Sequence, residues 1–349
     1  MMFMSQNSGS VAKELYKQRI YNYAFIFAIA LLAISVIYLL YQNISLQESI
    51  MGIAHANALV ANTITLSPNV TINNVGHRLD NIDVPLNTSE LNVINYAPNS
   101  YFEIAANMLL NNTINSSVFI TSINSSDKYN AIIINKKPTV IYIGALSCIF
   151  CGENRWAIAL ALSRFGNFSS LYKGYSSFGD GDLPTLYWSA YNYTTPSNVS
   201  FGNSYSSNYI NFISADYESP VKLGFEFKPL YYFVQKAPNA TYLDAMRFMD
   251  NTSKFRGTPF LLWGNVLYNG ADAVILGNGS VSSPPYPLEE MTHAQVISQL
   301  KNFNDPFSYS EYAAADVYVS YICASINNSA PICQVPAIKT IEQLSNLSA

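Results

Sequence analysis

The stretch from Val140 to Phe165 is Val140-Ile-Tyr-Ile-Gly-Ala-Leu-Ser-Cys-Ile-Phe-Cys-Gly-Glu-Asn-Arg-Trp-Ala-Ile-Ala-Leu-Ala-Leu-Ser-Arg-Phe165. It opens with four β-branched or aromatic residues, ending at Ile143, which is the composition of a buried strand. Apolar residues at helical spacing follow, up to Phe165, and Gly166 is a typical helix end. The stretch therefore predicts a strand followed directly by a helix.

Two cysteines three positions apart, Cys148 and Cys151, lie where this helix should begin, and Ser147 is the predicted N-cap residue. The first helical turn carries unpaired N–H groups and the positive end of the helix dipole, which stabilise a thiolate. We therefore expect a lowered pKa and raised reactivity at Cys148. Residues at i and i+3 share a helix face, so Cys151 can close a disulfide and act as the resolving thiol.

Two other roles for this cysteine pair stay open on spacing alone. The pair could be a structural disulfide, or it could supply half of a zinc site. No second close pair of ligands completes a zinc site, and the order strand, CxxC, helix favours a thioredoxin-like redox site. The residues that would have to complete a zinc site are Cys323, Cys333, His55, His77 and His293.

A family resemblance rests on the residues around the cysteines, from Ile143-Gly-Ala145 through Glu153 and Arg155-Trp156 to Leu162-Ser-Arg-Phe-Gly-Asn-Phe168. It rests also on the downstream segments Gly257-Thr-Pro-Phe260 and Trp263-Gly-Asn265. In these the chain resembles an uncharacterised, mainly archaeal family of membrane-anchored thioredoxin-like proteins, over about residues 137–300. The resemblance implies a cis Pro259 facing the CxxC, with Thr258 and Pro259 presenting backbone groups to a bound peptide. The chain has Ile149-Phe150 where such families often have proline, which leaves the direction of electron flow open.

The composition of the 349 residues narrows the class of protein. Only 11% are charged and the net charge is −4, against a charged fraction of about 25% in ordinary soluble domains. A surface built from neutral polar groups suits an extracytoplasmic protein. With no basic patch, the chain is not expected to bind nucleic acid.

A membrane anchor is predicted at residues 23–41, which carry no charge and approach the roughly 20 residues that a spanning helix needs. The nearby basic residues, Lys13, Lys17 and Arg19, all precede it. We therefore expect residues 1–22 in the cytoplasm and the main domain outside, with residues 23–41 in the lipid bilayer. A cleaved signal peptide is the alternative, but its apolar core would normally be shorter.

Beyond the anchor, we expect a stalk and accessory segment over residues 42–130 and a thioredoxin-like domain over residues 131–305. The fold class is α/β, with a mixed sheet, helices on both faces, and the CxxC at the carboxyl end of a strand. Residues 306–349 form a helical extension in which Cys323 and Cys333 flank a turn. We expect them to form a structural disulfide, with a redox relay pair as the alternative.

Three local predictions concern the rest of the domain. Strands Phe260–Trp263 and Ala273–Leu276 should pair across the turn signal Asn269-Gly270. His293 lies in the first turn of a helix capped by Thr292, where we expect it to be exposed and without a catalytic role. Glu153 should be solvated or paired with an arginine.

The functional hypothesis from the sequence is a thiol–disulfide oxidoreductase with catalytic Cys148 and Cys151 and substrate-binding Thr258 and Pro259. It would act on protein disulfides or dithiols, exchange electrons with a membrane redox partner, and need no cofactor or metal. The alternative is a non-catalytic envelope binding module on the same fold, in which the cysteines form fixed disulfides.

Overall fold

The computed structural model describes residues 82–111, 127–128, 131–146, 148–176, 183–190, 199–217, 230–252, 259–264, 266–269, 288, 291–304 and 306–345. All of these residues belong to one structural unit, Thr71–Ala349. The predicted cytoplasmic segment 1–22 and the predicted anchor 23–41 lie outside the described residues. Within the described residues, none of the helices combines the length and the apolar character that crossing a membrane requires.

Helices surround a central sheet, and a short 3₁₀ turn, Pro331–Gln334, precedes the last helix. The α-helices of the described residues are α1 (Thr88–Asn95), α2 (Asn99–Leu110), α3 (Ile149–Leu162), α4 (Leu230–Lys236), α5 (Ala240–Thr252), α6 (His293–Asn302), α7 (Pro306–Ser325) and α8 (Pro336–Leu344).

The strands of the described residues form one larger sheet and two small two-stranded sheets. They are β1 (Asp127–Lys128), β2 (Ile133–Ile134), β3 (Lys137–Ala145), β4 (Gly166–Phe168), β5 (Tyr172–Tyr175), β6 (Pro184–Tyr187), β7 (Val199–Phe201), β8 (Tyr205–Ser207), β9 (Asn211–Tyr217), β10 (Phe260–Trp263) and β11 (Val266–Asn269). The larger sheet has the order β1-β11-β10-β3-β9-β7, with β2 also paired to β3. Strands β4 and β8 form one small sheet, and β5 and β6 the other.

Strand β3 is the centre of the larger sheet. It pairs in parallel with β9 and antiparallel with β10. A parallel pair needs a crossover connection, and helix α3 lies in the segment that joins β3 to β9. The sheet is therefore mixed, and the predicted α/β class is confirmed at that level.

The two faces of β3 contribute to two different apolar clusters, because side chains alternate along a strand. Val140 and Tyr142 pack in a cluster with residues of α2, α3 and α7. Ile141, Ile143 and Ala145 pack in a second cluster with residues of α4 and α5. β3 is thus buried on both faces, which explains its unbroken run of apolar residues.

The hairpin of β10 and β11, which begins at the end of the Gly257-Thr-Pro-Phe260 segment, differs from the sequence prediction. Trp263 pairs with Val266 and Phe260 pairs with Asn269, so the chain reverses between Trp263 and Val266. Gly264 has φ of +59°, a conformation that glycine adopts at little cost in a tight turn. The prediction that Phe260–Trp263 pairs with its partner strand across Asn269-Gly270 was wrong, because Asn269 is the last residue of that partner strand. The predicted strand 273–276 lies outside the described residues.

The carboxyl-terminal helices are fixed to one another by a covalent bond. A disulfide joins Cys323, near the end of α7, to Cys333 in the 3₁₀ turn before α8. Both cysteines are buried, and α7 also packs against α2 and α3. The extension at residues 306–345 is therefore part of the same packed unit as the sheet.

Candidate active site at the start of helix α3

Cys148 is the N-cap residue of α3, one position after the predicted N-cap residue, Ser147, which lies outside the described residues. It has an extended backbone, and its sulfur accepts a hydrogen bond from the Cys151 N–H at 3.3 Å. The Cys148 N–H in turn donates to the Ala145 carbonyl at the end of β3. The sulfur of Cys148 therefore takes the place that a serine or aspartate oxygen usually has at a helix N-terminus.

Both cysteines are buried, with 2% of Cys148 and none of Cys151 exposed. Both are thiols in this structure, and they pack in the apolar cluster that includes Ile143, Ala145 and Phe233. Burial raises the pKa of Cys151, and its hydrogen bond with Cys148 raises it further. An exchange partner can reach these sulfurs only when their surroundings open.

An ion pair lies in the interior one helical turn beyond Cys151. Nη2 of Arg155 is 2.6 Å from Oδ1 of Asp216 on β9, and it also donates to the Ala145 carbonyl at 3.0 Å. The hydroxyl of Tyr142 donates to the same Asp216 oxygen at 3.2 Å. The pair links the CxxC helix, the central strand and its parallel neighbour.

Two aromatic rings flank the Arg155 guanidinium. Its central carbon lies 5.6 Å from the ring centroid of Tyr142 and 5.9 Å from that of Tyr187, within cation–π range. The Tyr187 hydroxyl is held by the Tyr175 carbonyl at 2.7 Å, across the small sheet of β5 and β6. The arginine is therefore enclosed by strands on both sides.

Gly144 has no side chain, which leaves room for the side chains of Tyr142 and Asp216 beside Arg155. It stands opposite Asp216 in the β3–β9 register. A Cβ atom at Gly144 would lie 2.0 Å from the Tyr142 hydroxyl oxygen and 2.8 Å from Oδ1 of Asp216. Glycine is required here because the tyrosine and the carboxylate occupy the volume of a side chain.

The predicted substrate-binding residues precede β10. Pro259 is buried and is followed by Phe260, which pairs with Ile143 of β3, so the proline lies near the end of β3 from which the chain continues to Cys148. Thr258 lies outside the described residues. The cis geometry of Pro259 remains a prediction.

The zinc-site alternative would need further ligands besides Cys148 and Cys151. Cys323 and Cys333 are joined to each other, and His55 and His77 lie outside the described residues. In the described part of the chain, no three or more His, Cys, Asp or Glu residues lie close enough together to hold a metal ion.

His293 is buried, so the prediction that it is exposed was wrong. Its Nε2 lies 2.9 Å from the Thr185 carbonyl oxygen, and its ring packs edge-on against Tyr175 at 4.9 Å. The β5–β6 hairpin covers the first turn of α6, and the sequence around the histidine gives no sign of this cover. Burial lowers the pKa of His293 to about 4.

Glu153 is also buried, so the solvated role predicted for it was wrong. It lies on α3 where this helix packs against α7, and its charge acts on the buried Glu311 of α7. The arginine two positions on, Arg155, pairs with Asp216 instead.

Sequence reasoning missed Arg155, Asp216 and Tyr142 as members of the site. The one signal available was a charged residue inside a segment rich in apolar residues, in a chain with few charges. Arg155 in the helix and Asp216 in the strand both have this character.

Comparison with known families places the chain in one of them. A family model described as "Domain of unknown function (DUF929)" matches residues 128–324, more than half of the chain. The chain belongs to the DUF929 family. The DUF929 span contains β3, both cysteines of the CxxC, Asp216 and Pro259, and it leaves Cys333 outside. No curated protein and no solved structure matches the chain.

Proposed function

We propose that this chain is a membrane-anchored, extracytoplasmic thiol–disulfide oxidoreductase that acts on protein disulfides or dithiols through Cys148 and Cys151. The observation that carries the proposal is the position of the Cys148 sulfur, which caps α3 and accepts the Cys151 N–H at 3.3 Å. Donated N–H groups and the helix dipole stabilise a thiolate more than a thiol.

In the reducing direction, the Cys148 thiolate attacks one sulfur of a substrate disulfide. A Cys148–substrate disulfide forms, and the second substrate sulfur leaves as a thiolate. Cys151 then attacks the Cys148 sulfur, giving a Cys148–Cys151 disulfide and a reduced substrate. Two electrons pass from the enzyme dithiol to the substrate, and in the oxidising direction the same steps run in reverse.

The order of elements supports a thioredoxin-like fold for this domain. Strand β3, helix α3 and the parallel strand β9 are followed by helices α4 and α5, the antiparallel pair β10 and β11, and further helices. Apart from strands β4–β8, which lie between α3 and β9 in the chain, this is the strand, helix, strand, helix, strand, strand, helix order of a thioredoxin-like domain. A CxxC after the first strand of a βαβ unit is typical of redox sites.

Pro259 and Thr258 are proposed to present backbone groups to an extended substrate segment. Pro259 is buried beside the first residue of β10, and β10 pairs with the strand that leads to Cys148. A Pro259→Ala variant should weaken substrate handling more than it changes the pKa of Cys148.

The membrane part of the proposal rests on the uncharged segment 23–41 and on the basic residues that precede it. Protease added to intact cells should remove the main domain and spare the first residues of the chain. Protection of the whole chain would contradict this orientation.

The burial of both sulfurs favours a second candidate, a non-catalytic binding module in which the two cysteines form a fixed disulfide. The reduction potential of the Cys148–Cys151 couple separates the two functions. Structural disulfides typically lie below about −300 mV, and catalytic ones lie above that value.

The decisive experiment is to trap the substrate on the first cysteine. In a Cys151→Ser variant of the full-length protein, expressed in its native envelope, mixed disulfides with other proteins should accumulate at Cys148. The matched control is Cys148→Ser, which keeps one buried thiol at Cys151 and should trap nothing. Equal trapping by both variants, or none by either, would overturn the proposed function.

A further inference from the structure

Arg155 is the one buried cation beside the two thiols in the described part of the chain, and the proposed exchange chemistry gives it no role so far. Its side chain is fully buried. Nη2 makes both of its hydrogen bonds, and no described residue accepts one from Nε or Nη1. Burying a charge whose N–H groups lack hydrogen-bond acceptors costs folding free energy. An anion that forms close to the charge in one state of the protein would offset that cost.

The geometry brings this charge to Cys151. Arg155 follows Cys151 by four residues on α3, so the two share a helix face. Helical side chains tilt toward the N-terminus, which directs Arg155 back over the turn that carries the cysteines. Arg155 and Cys151 also both hydrogen-bond the backbone of Ala145.

Asp216, the partner of Arg155, lies on β9 and borders a small polar cavity of about 10 Å³. That volume is about the space one water needs, and three of the lining residues are serines: Ser189, Ser200 and Ser214. The carboxylate of the pair therefore lies beside hydroxyl groups, and the guanidinium group contacts the same residue, Ala145, whose backbone Cys151 contacts.

We propose that Arg155 stabilises the thiolate of Cys151 during resolution of the mixed disulfide, a role that rests on the proposed function. In that step Cys151 forms a bond to the Cys148 sulfur and the bond from Cys148 to the substrate sulfur breaks. The proton of Cys151 ends on the departing substrate sulfur. Cys151 carries negative charge before the new bond forms, and the fixed guanidinium charge stabilises it at that moment.

The other groups that face Cys151 do not supply this stabilisation. Cys148 shares its helix, and its hydrogen bond raises the pKa of the Cys151 thiol. Tyr142 lies on β3 and stays neutral, because burial raises the pKa of its hydroxyl group. The buried side chains that α4 and α5 contribute to the same cluster are apolar, and only the partly buried Tyr232 and Tyr242 add hydroxyl groups at its edge. Among these groups, only Arg155 lowers the pKa of the Cys151 thiol by its charge.

The test measures the ionisation of Cys151 by the pH dependence of its ¹³Cβ signal, in full-length protein carrying Cys148→Ser. Cys323 and Cys333 are joined, so Cys151 is then the only thiol. The variants Asp216→Asn and Arg155→Met/Asp216→Asn are compared with this parent. The double variant removes both charges together, which leaves no buried charge unpaired.

We expect the two variants to move the Cys151 pKa in opposite directions. Asp216→Asn leaves the cation uncompensated and should lower the pKa by about one unit, a tenfold rise in the thiolate-to-thiol ratio below the pKa. The double variant should raise the pKa above that of the parent. A role of Arg155 in packing alone predicts no such ordering.

A pKa that is unchanged or raised in Asp216→Asn would overturn the proposal. If Asp216→Asn does not fold, the comparison is made between the Cys148→Ser parent and the double variant alone. A Cys151 pKa in the double variant at or below that of the parent would then overturn the proposal. These measurements use no substrate, so a failure of substrate trapping would reject the proposed function without affecting the assignment of Arg155 to Cys151.

Discussion

Nη2 of Arg155 lies 2.6 Å from Oδ1 of Asp216, and this ion pair connects helix α3 to strand β9 across the interior. The arginine is fully buried and only 5% of the aspartate is exposed. Charges in such surroundings stabilise a fold only as long as each keeps its partner. The pair therefore makes the CxxC helix and the parallel strand energetically dependent on one another.

Breaking this pair from one side should be strongly destabilising. Arg155→Met leaves Asp216 buried without its counter-charge, and we expect a loss of about 3–5 kcal/mol in the free energy of unfolding. Urea denaturation measures this loss, and adding Asp216→Asn should recover most of it.

A second ion pair in the same chain provides the control. Nζ of Lys173 lies 2.7 Å from Oε1 of Glu90, and both side chains remain partly exposed. Lys173→Met should cost about 1 kcal/mol or less, because a carboxylate that water still reaches tolerates the loss of its partner better than a buried one. If Arg155→Met and Lys173→Met lowered the free energy of unfolding by equal amounts, burial would not explain the difference expected between the two ion pairs.

Gly144→Ala should destabilise the protein through contact with Tyr142. The new methyl group would lie 2.0 Å from the tyrosine hydroxyl oxygen and 2.8 Å from the Asp216 carboxylate. Overpacking of this kind costs about 1–3 kcal/mol. The cost should be smaller in a Tyr142→Phe background, which removes the nearest atom, and a double-mutant cycle in urea measures that difference. Additive effects of the two substitutions would argue against this contact.

Two buried carboxyl groups predict a fold that is more stable in acid. Burial raises the pKa of Glu311 and of Asp316 well above their ordinary values of 4.5 and 3.8. Both groups stay protonated in the fold at a pH where they ionise in the unfolded chain, so unfolding releases protons. The free energy of unfolding should therefore be largest below these ordinary values and should fall as the pH rises toward neutral.

Asp316→Asn should flatten this decline, because the amide has no proton to lose in either state. His293 contributes with the opposite sign: its pKa is lowered to about 4 in the fold, so its contribution is lost as the pH falls from about 6.5 toward 4. His293→Gln should therefore steepen the net decline between these values. Urea denaturation across this pH range measures both slopes, and a wild-type stability that rises toward neutral pH would contradict the prediction for the carboxyls.

The disulfide between Cys323 and Cys333 should stabilise the carboxyl-terminal helices. It closes a loop with a sequence separation of 10 residues, and in the loop-entropy model such a bond contributes roughly 2–3 kcal/mol. Replacing both cysteines by serine should lower the free energy of unfolding by about that amount. Mass spectrometry of a non-reduced digest of the native protein should find the cross-linked peptide. Free thiols at both positions would contradict the pairing.

Local features of the site could be predicted from the sequence, since each depends on neighbouring residues. The apolar run of β3, the helix after the cysteines and the capping box of Thr292 and Gln295 all follow from patterns a few residues long. The α/β class follows from the order of these elements. The predicted start of the helix differs from the observed one by a single residue, since Ser147 was the predicted N-cap residue and Cys148 is the observed one.

The contacts inside the site could not be predicted, since they depend on the register between distant strands. Asp216 meets Arg155 because β9 pairs in parallel with β3 and brings Asp216 opposite Gly144. The two partners are 61 residues apart, and no local pattern sets that register. His293 was misplaced for the same reason, since the hairpin that buries it comes from a segment more than a hundred residues earlier.

The placement of β3 beside β9 also has a consequence for oxidative folding. The whole of α3 and several short strands separate these neighbours along the chain, so the sheet that buries Cys148 and Cys151 depends on slow, non-local pairing. Until it forms, the four cysteines of the chain are accessible to one another, which matters in the oxidising compartment that the proposed function implies. Cys323 and Cys333 are close in sequence and meet by fast loop closure. Early pairing of these two removes them as competitors and leaves the CxxC thiols to find each other.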